Sequence, residues 1–459
     1  MSTKLEKTTG IRLGIATAFA FILTACFHFY GINEWPWDHD EVPSLVEMGL
    51  SNIEMKGAIA DQAKKLPKLL PVWYGSQQFA LRFLPLNEGG SRILPASCGV
   101  LAVVLAFYFA ARYWGMAIGL ALLLVLDGSQ CFIWLSQQNR FYSMAILFLT
   151  LTWIVTWRLR ASLLSAACIF LLTGLAILSH NLLIVVFLIA FIAAGLATWL
   201  GWAPRAVLYQ CGISAAVSVA LYIFYLRSIM AGWVSGGTGG TNPLVSFIAQ
   251  VGTPTLALAL LGSAVTLWSS ATRKTWGWWV ILLAGGLAFI ALSPWLMKAW
   301  NPRYGILFMP PVFVLAAFAV AHIGRLLKAS SLVVAWYCCV GLLLLPKLAS
   351  HYQDGSRHDL RSAASVVLGH YTEGSKVFSN WPETLQYYLP VVKTGISVDW
   401  WGESALPDSE FLIVFSSNAW EPLIQPPGRQ VRVLAEIRKR RFDEQTHIVR
   451  VYQVAAAKK

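Results

Sequence analysis

The chain has 459 residues, of which 57% are hydrophobic and only 12% are charged, and its formal net charge is +13 at pH 7. Soluble domains carry about 25% charged residues, so this composition excludes a soluble globular protein. Several apolar runs reach the roughly 20 residues that cross a bilayer as a helix. The composition therefore predicts a multi-span α-helical integral membrane protein.

The apolar runs predict about eleven transmembrane helices, centred near residues 20, 102, 124, 149, 169, 190, 216, 259, 285, 314 and 338. Alternate loops between them are rich in arginine, as at Arg112, Arg158, Arg205, Arg273 and Arg325. Cytoplasmic loops carry this excess of positive charge. We therefore expect a cytoplasmic N-terminus and no nucleic-acid partner. The short loops favour a bacterial inner-membrane location, with a eukaryotic luminal equivalent as the alternative.

An acidic stretch, "INEWPWDHDEVPSL" at residues 32–45, follows the first span on the expected outer side. It contains three carboxylates, Asp38, Asp40 and Glu41. Capping of a following helix explains one of them, but three in four residues favour a functional site. Apolar residues at steps of three and four from Val42 to Ile53 predict an amphipathic helix at the membrane interface. This helix belongs to a first outer loop over residues 31–90.

Further polar residues lie where other spans meet the outer side. They stand in "SQQNRFY" (136–142), "SHN" (179–181) and "KAWNPRY" (298–304), and they include Arg140, Tyr142, His180, Arg303 and Tyr304. If the helices pack together, these side chains gather at one depth and suit a reaction at the outer face. The arginines would hold an anionic headgroup, and a carboxylate would take a proton from an attacking hydroxyl.

Each of these residues also has a structural explanation. The two arginines are alternatively interfacial anchors, the histidine a packing residue, and the tyrosines part of the aromatic belt.

The composition turns polar after about residue 348, which predicts two domains, a transmembrane catalytic domain over 1–348 and an extracytoplasmic domain over 349–459. "SKVFSNW", "EFLIVFSS", "RQVRVLAEI" and "THIVRVYQVA" are typical of strands, and "DLRSAASVVLGHY" is typical of a helix. We therefore expect a small C-terminal α/β domain.

The order of these motifs resembles the GT-C glycosyltransferases of the protein O-mannosyltransferase and aminoarabinose transferase type. The likeness begins with the acidic pair and continues in "LPVWYGSQQFALRFLPLNEGGSRILPASCGVLAV" (70–103), which keeps Pro71, Arg92 and Pro95 of the family pattern. "SQQNRFYSMAILFLTL", "SHN", "NPRYGILFMPP" and "RHDLRSAASVVL" follow in the family's order. No single motif is specific, but the series covers nearly the whole chain.

This resemblance implies a GT-C fold and transfer of a sugar from a polyprenyl-phosphate carrier to an acceptor hydroxyl or phosphate by a single inverting displacement. It implies that Asp40 is the first choice for the catalytic base, with Glu41 and Asp38 beside it. Arg140 and Arg303 correspond to arginines near the carrier phosphate.

The remaining residues of the expected substrate site are Arg92, Tyr142, His180 and Tyr304. Some members of the family use a divalent metal, for which Asp40 and Glu41 would be the ligands here.

The chain also departs from the family pattern. Gln137, Gln138 and Asn139 stand where many relatives have an acidic residue, so either Asp127 substitutes for it or the site works without it. Two other functions share the basic outer site, a transporter or flippase of lipid-linked sugars and a non-catalytic envelope assembly protein. The acidic stretch distinguishes them, because an enzyme requires it and a scaffold does not.

Overall fold

The structure is a computed structural model that describes residues 2–38, 41–51, 53, 65–158, 162–230, 242–296, 302–355, 357–401, 407–418, 426, 428–440 and 446–456. The helices of the apolar part are α1 (Ser2–Phe29), α2 (Glu41–Glu47), α3 (Leu66–Leu69), α4 (Pro71–Ala80), α5 (Glu88–Tyr113), α6 (Met116–Asp127), α7 (Gln130–Ser136), α8 (Tyr142–Arg158), α9 (Leu163–Ser179), α10 (Leu183–Trp199), α11 (Arg205–Leu221), α12 (Arg227–Met230), α13 (Pro243–Val251), α14 (Thr253–Trp268), α15 (Ser270–Leu296), α16 (Pro310–Leu326) and α17 (Ser330–Asp354). A π-helical turn, Tyr222–Leu226, joins α11 to α12, and a 3₁₀-helix, Pro302–Phe308, precedes α16.

Within the described residues, five helical segments are long and apolar enough to cross a membrane; they belong to α1, α5, α11 with its continuation, α15 and α17. The bent pairs α6–α7 and α13–α14, which turn by 67° and 94°, raise the number to seven if each pair is one span. The helices α8, α9, α10 and α16 have 17 residues each. Such a helix is about 25 Å long, which is short of the roughly 30 Å hydrocarbon core. Each expected centre falls inside an apolar helix, but the count of eleven spans is not confirmed.

Glycines allow the helices to approach closely under the polar end of the bundle. A Cβ atom on Gly99 of α5 would lie 2.7 Å from both His28 Nδ1 in α1 and Ser136 Cβ in α7. A Cβ atom on Gly262 of α14 would lie 2.1 Å from the carbonyl oxygen of Leu315 in α16. Membrane helices commonly pack through such small residues. The ends of α1, α5 and α7 are therefore fixed against one another.

The helix that follows α1 is shorter than the sequence pattern from Val42 to Ile53 predicts. Helix α2 ends at Glu47, because Gly49 adopts a positive φ of 69° and Leu50 N–H returns to the Leu45 carbonyl at 2.9 Å. Val42 and Leu45 are fully buried. The described part of this helix therefore packs inside the protein rather than along a membrane surface.

The C-terminal domain has the strands and the helix that the sequence predicts. Its elements are α18 (Leu360–His370), β1 (Lys376–Ser379), α19 (Pro382–Tyr388), α20 (Val391–Thr394), β2 (Val398–Trp400), β3 (Phe411–Asn418), β4 (Val431–Arg440) and β5 (Thr446–Val454). The sheet order is β2-β1-β3-β5-β4, with β1 parallel to β2 and β3, and β5 antiparallel to β3 and β4. Strand β2 and the short helices α19 and α20 had no clear signal in the sequence.

Hydrogen bonds join the C-terminal domain to the helical part. The Tyr388 hydroxyl accepts from Trp37 N–H at 2.7 Å and donates to Glu88 Oε1 at 3.1 Å. Arg361 donates to the same Glu88 oxygen at 2.7 Å and to the Glu34 carbonyl at 3.0 Å. These contacts place the domain over the end of the bundle where the acidic stretch lies.

Candidate active site

Glu41 and Arg92 form a buried ion pair at the start of α2. Arg92 Nε donates to Glu41 Oε1 at 2.9 Å, and Nη2 donates to Oε2 at 2.6 Å, so the pair is bidentate. The remaining Arg92 donors bind the carbonyl oxygens of Ile32 and Trp35 at 2.9 Å each and of Pro36 at 2.8 Å. An arginine has five N–H donors, and these five hydrogen bonds use all of them. Arg92 therefore binds the first outer loop together.

The Glu41 carboxylate accepts two further hydrogen bonds, from Asn139 N–H at 2.7 Å and from Asp38 N–H at 2.8 Å. Arg357 Nε lies 3.7 Å from Glu41 Oε2. Burial alone raises the pKa of Glu41, but the charge and hydrogen bonds of Arg92, followed by the charge of Arg357, lower that pKa below its ordinary value. The carboxylate is thus ionised at neutral pH and enclosed by donors.

Arg357 connects the start of the C-terminal domain to the same site. It is fully buried, and its Nη2 donates to the Gln137 carbonyl at 2.6 Å. Burial and the neighbouring charge of Arg92 lower the pKa of Arg357 to about 9, so the guanidinium stays protonated at pH 7. Its Cζ lies 5.1 Å from the centre of the Trp35 ring.

Asp38 forms the second buried carboxylate of the site. Its Oδ2 accepts from Gln138 Nε2 at 2.8 Å and from Arg303 Nη2 at 3.0 Å. Its Oδ1 lies 3.3 Å from Nδ1 of His358, which belongs to the C-terminal domain. Arg303 is 4% exposed, and its Cζ lies 5.0 Å from the centre of the Trp134 ring. One carboxylate therefore joins the first outer loop, the loop after α7, the 3₁₀-helix and the C-terminal domain.

Hydrogen bonds between its first and last residues close the segment 38–41, which we call the acidic turn. Glu41 N–H donates to the Asp38 carbonyl at 3.0 Å, while the Glu41 side chain accepts from Asp38 N–H. Asp40, the first choice for the base, lies outside the described residues. The described residues before and after it in the sequence, Asp38 and Glu41, form ion pairs with arginines.

A second polar group lies beside this turn, between α2 and the start of α8. Arg140 Nη1 donates to Ser44 Oγ at 2.7 Å, and the Tyr74 hydroxyl donates to Glu47 Oε2. Burial and the Glu47 charge raise the pKa of Tyr74, while the Arg140 charge acts in the opposite direction. This polar group therefore brings one cation, Arg140, and one carboxylate, Glu47, to helix α2.

Aromatic rings from three loops meet next to Arg140. The His180 ring centre lies 4.8 Å from that of Phe141 and 5.5 Å from those of Tyr142 and Tyr304. Burial and the charge of Arg140 lower the pKa of His180 to about 3, so the imidazole is neutral at pH 7. The structure thus brings together the polar residues that the sequence placed at one depth.

Guanidinium groups outnumber carboxylates in the described ion pairs of the site. The described ion pairs around the turn contain two carboxylates, Asp38 and Glu41, and three guanidinium groups, Arg92, Arg303 and Arg357. Their formal sum is one positive charge in a region shielded from water, where charges interact strongly.

Of the two expected metal ligands, only Glu41 is among the described residues, so the divalent metal stays a prediction. No group of three or more His, Cys, Asp or Glu side chains among them is arranged to hold an ion. The oxygens of Glu41 are already bound to guanidinium and amide donors, which a cation would have to displace. Asp127 accepts a hydrogen bond from Thr24 at 2.9 Å and lies 4.0 Å from His28 Nε2, in a separate polar cluster between α1 and α6.

Several residues of the site were missed by sequence reasoning or found only through family resemblance. Arg357 was noted only because "RHDLRSAASVVL" resembles the family pattern, in which an arginine precedes a helix. The sequence analysis gave no role to Gln138, His358 or His447. The run Arg357-His358-Asp359, just after the last apolar helix, is the one signal that could have found two of them.

No family model and no curated protein sequence matches the chain. Among solved structures, ArnT from Cupriavidus metallidurans bound to undecaprenyl phosphate is similar with a TM-score of 0.57 and 10% identity, covering 96% of this chain and 97% of ArnT. The same protein in the apo state gives a TM-score of 0.55 and 12% identity, covering 97% and 98%. Archaeal oligosaccharyltransferase AglB from Archaeoglobus fulgidus, in complex with an inhibitory peptide and a dolichol-phosphate, gives a TM-score of 0.48 at 11% identity over 84% of this chain and 64% of AglB.

The two ArnT comparisons cover almost all of both chains, so they include the helical part and the C-terminal domain together. This protein therefore has the GT-C fold of an integral membrane protein, as the sequence predicted.

Proposed function

We propose that the protein is a membrane glycosyltransferase that moves a sugar from a polyprenyl-phosphate carrier to an acceptor hydroxyl or phosphate on the outer membrane face. The observation that carries this proposal is the acidic turn, held between buried arginines at the end of a GT-C bundle. A glycosyl transfer from a phosphate carrier requires a base for the acceptor and cations for the departing phosphate. Buried arginines lie within hydrogen-bonding distance of Asp38 and Glu41, and Asp40, the proposed base, stands between these two residues in the sequence.

The proposed step is a single displacement. The acceptor oxygen forms a bond to the anomeric carbon while the bond from that carbon to the phosphate oxygen breaks. The phosphate keeps the electron pair, and the acceptor proton passes to a carboxylate. Attack from the side opposite the phosphate inverts the anomeric centre.

Within this scheme Asp40 remains the proposed base. Asp38 and Glu41 are both enclosed by donors, so their geometry suits holding the turn rather than removing a proton. The same reasoning changes the role of Arg92 from substrate binding to structural support, since its five donors are used within the protein.

Arg303 and Arg140 remain the proposed ligands of the carrier phosphate. Arg303 donates a hydrogen bond to Asp38, and Arg140 donates one to Ser44 in α2. Tyr304 is partly exposed and would pack against the sugar, while the buried rings of Tyr142 and His180 would hold Tyr304 in place.

An apolar cavity supports the assignment of a lipid carrier. It has a volume of about 70 Å³ and is lined by bulky side chains such as Trp153 and Phe313. Ile306 and Pro310 also line it, and they follow Arg303 on the same 3₁₀-helix and the start of α16. A phosphate at Arg303 would therefore place its prenyl chain next to an apolar space of suitable composition.

The test is donor consumption by the purified protein in lipid nanodiscs. A panel of polyprenyl-phosphate sugars is supplied with crude envelope extract as the acceptor source, and released polyprenyl phosphate is measured. Release above that of protein-free nanodiscs supports the proposal. Intact donor that changes leaflet in proteoliposomes would point to the flippase, and intact donor that stays in place would point to the assembly protein.

A further inference from the structure

Two histidines of the C-terminal domain extend the hydrogen bonding of Asp38. His358 lies between α17 and α18, and His447 lies in β5; they are 6% and 2% exposed. His358 Nδ1 is 3.3 Å from Asp38 Oδ1, and His358 Nε2 is 2.9 Å from His447 Nδ1. The three side chains form a continuous chain from the acidic turn into the sheet.

The direction of the first hydrogen bond follows from the chemistry of Asp38. Gln138 and Arg303 donate to this carboxylate, and an ionised carboxylate only accepts hydrogen bonds. His358 must therefore carry a proton on Nδ1 and donate a hydrogen bond from Nδ1 to Asp38. The second bond has two allowed states: a neutral His358 accepts at Nε2 from His447 Nδ1–H, or a protonated, positively charged His358 donates from Nε2 to His447 Nδ1. Both states leave the bond from His358 to Asp38 unchanged.

We propose that His358 and His447 are positioning residues that act on the reaction through Asp38, a proposal that rests on the function proposed above. Asp38 lies two residues before Asp40 and also binds Arg303. A donor that orients the Asp38 carboxylate therefore acts on the residue two positions before the proposed base and on the hydrogen-bond partner of the proposed phosphate ligand, Arg303. The C-terminal domain would thus complete the active site, rather than only cover it.

Attachment of the C-terminal domain alone does not explain the hydrogen-bonded series of Asp38, His358 and His447. Tyr388, Arg361 and Glu88 already attach the domain to the helical part by hydrogen bonds at its edge. Two buried imidazoles next to a buried carboxylate add desolvation costs that an apolar contact would avoid. A role in orienting the carboxylate gives a reason for them.

The first test compares His358→Ala with His358→Asn in the transfer assay. The Asn amide places an N–H near the position of Nδ1, so it keeps the donor to Asp38 and loses the link to His447. We expect the Ala variant to lower kcat about 10- to 100-fold, as loss of a residue that orients a reactive group does, with an unchanged KM for the donor. The Asn variant should recover most of the rate.

The second pair of variants avoids any change at His358. His447→Leu should lower kcat in the same direction by a smaller factor, and His447→Asn, which keeps a donor near Nδ1, should recover it. His370→Ala is the matched control, because His370 is an exposed histidine at the end of α18 in the same domain. Wild-type kcat in both the His358→Ala and His447→Leu variants would overturn the proposal. So would equal losses in the Ala and Asn variants together with a raised KM, because that pattern indicates only a structural contact.

A measurement that needs no activity separates this proposal from the proposed function. Nitrogen NMR of imidazole-labelled protein, assigned with His358→Asn, should show His358 Nδ1 protonated, and Asp38→Asn should shift that signal. An unprotonated His358 Nδ1 would overturn the hydrogen-bond chain whether or not the protein transfers sugar. If the signal is as expected and the wild type consumes no donor, the proposed function fails and the positioning role falls with it, while the hydrogen bond stands.

Discussion

Replacing Arg92 with Met should detach the first outer loop from the bundle. The substitution keeps much of the side-chain length but removes two hydrogen bonds to Glu41 and three to the carbonyl oxygens of the preceding segment. Removing one partner of a buried ion pair costs about 3–5 kcal/mol, and each buried carbonyl left unpaired costs roughly 1–3 kcal/mol. Arg357 at 3.7 Å and Asn139 N–H remain as partners of Glu41 and limit the loss.

The expected destabilisation is therefore at least about 4 kcal/mol, a large share of the roughly 5–15 kcal/mol that stabilises a folded domain. Thermal unfolding of the purified variant and hydrogen exchange at the amides of Glu41 and Asn139 would measure it. Arg82→Met is the matched control, since Arg82 is an exposed arginine in the same outer loop. Glu41→Gln combined with Arg92→Met should lose less than the sum of the two single variants, because the double variant removes both charges of the bidentate pair together. An Arg92→Met protein that unfolds at the same temperature as the Arg82→Met control would refute the reasoning.

Three further outcomes follow from the same contacts. The folded protein lowers the pKa of Glu41, so the stability that Glu41 contributes is complete above the ordinary value of 4.5 and is lost as pH falls toward the lower native value. The unfolding temperature should therefore decline in that pH range. The decline should be absent in Glu41→Gln. Tyr388→Phe removes the hydroxyl that binds Trp37 N–H and should weaken the attachment of the C-terminal domain by about 1–3 kcal/mol. Proteolysis between the helical part and the C-terminal domain should then be faster, and unchanged proteolysis would count against the interface. Gly262→Leu should prevent stable packing of α14 on α16, because its Cβ would lie 2.1 Å from the Leu315 carbonyl oxygen, and a normal yield of monodisperse protein would contradict that packing.

The sequence predicted the fold class and four of the five described strands of the C-terminal domain because both depend on local patterns. Long apolar runs report burial in lipid, and alternating residues report a sheet, without knowledge of distant contacts. The number of spans was harder, since α8, α9, α10 and α16 are shorter than a full crossing and no single run of residues reveals how they tilt or bend.

The roles within the candidate site depended on contacts that span the chain. Arg92 and Glu41 are 51 residues apart, and His358 and His447 are 89 apart, so their pairing follows from tertiary packing. The sequence could place carboxylates and arginines at one end of the bundle. It could not show which arginine has all its donors engaged within the protein, and that geometry is what separates a structural arginine from a proposed ligand.

The central claim is that the acidic turn supplies the base for glycosyl transfer, and Asp40→Asn tests it most directly. The variant removes one carboxylate and keeps the size of the side chain, while Asp38 and Glu41 keep their ion pairs. Transfer from a polyprenyl-phosphate sugar would be measured beside a titration with polyprenyl phosphate alone. The account predicts loss of transfer by at least about 100-fold, the scale of general base catalysis, with carrier binding retained. Turnover near the wild-type rate would contradict it.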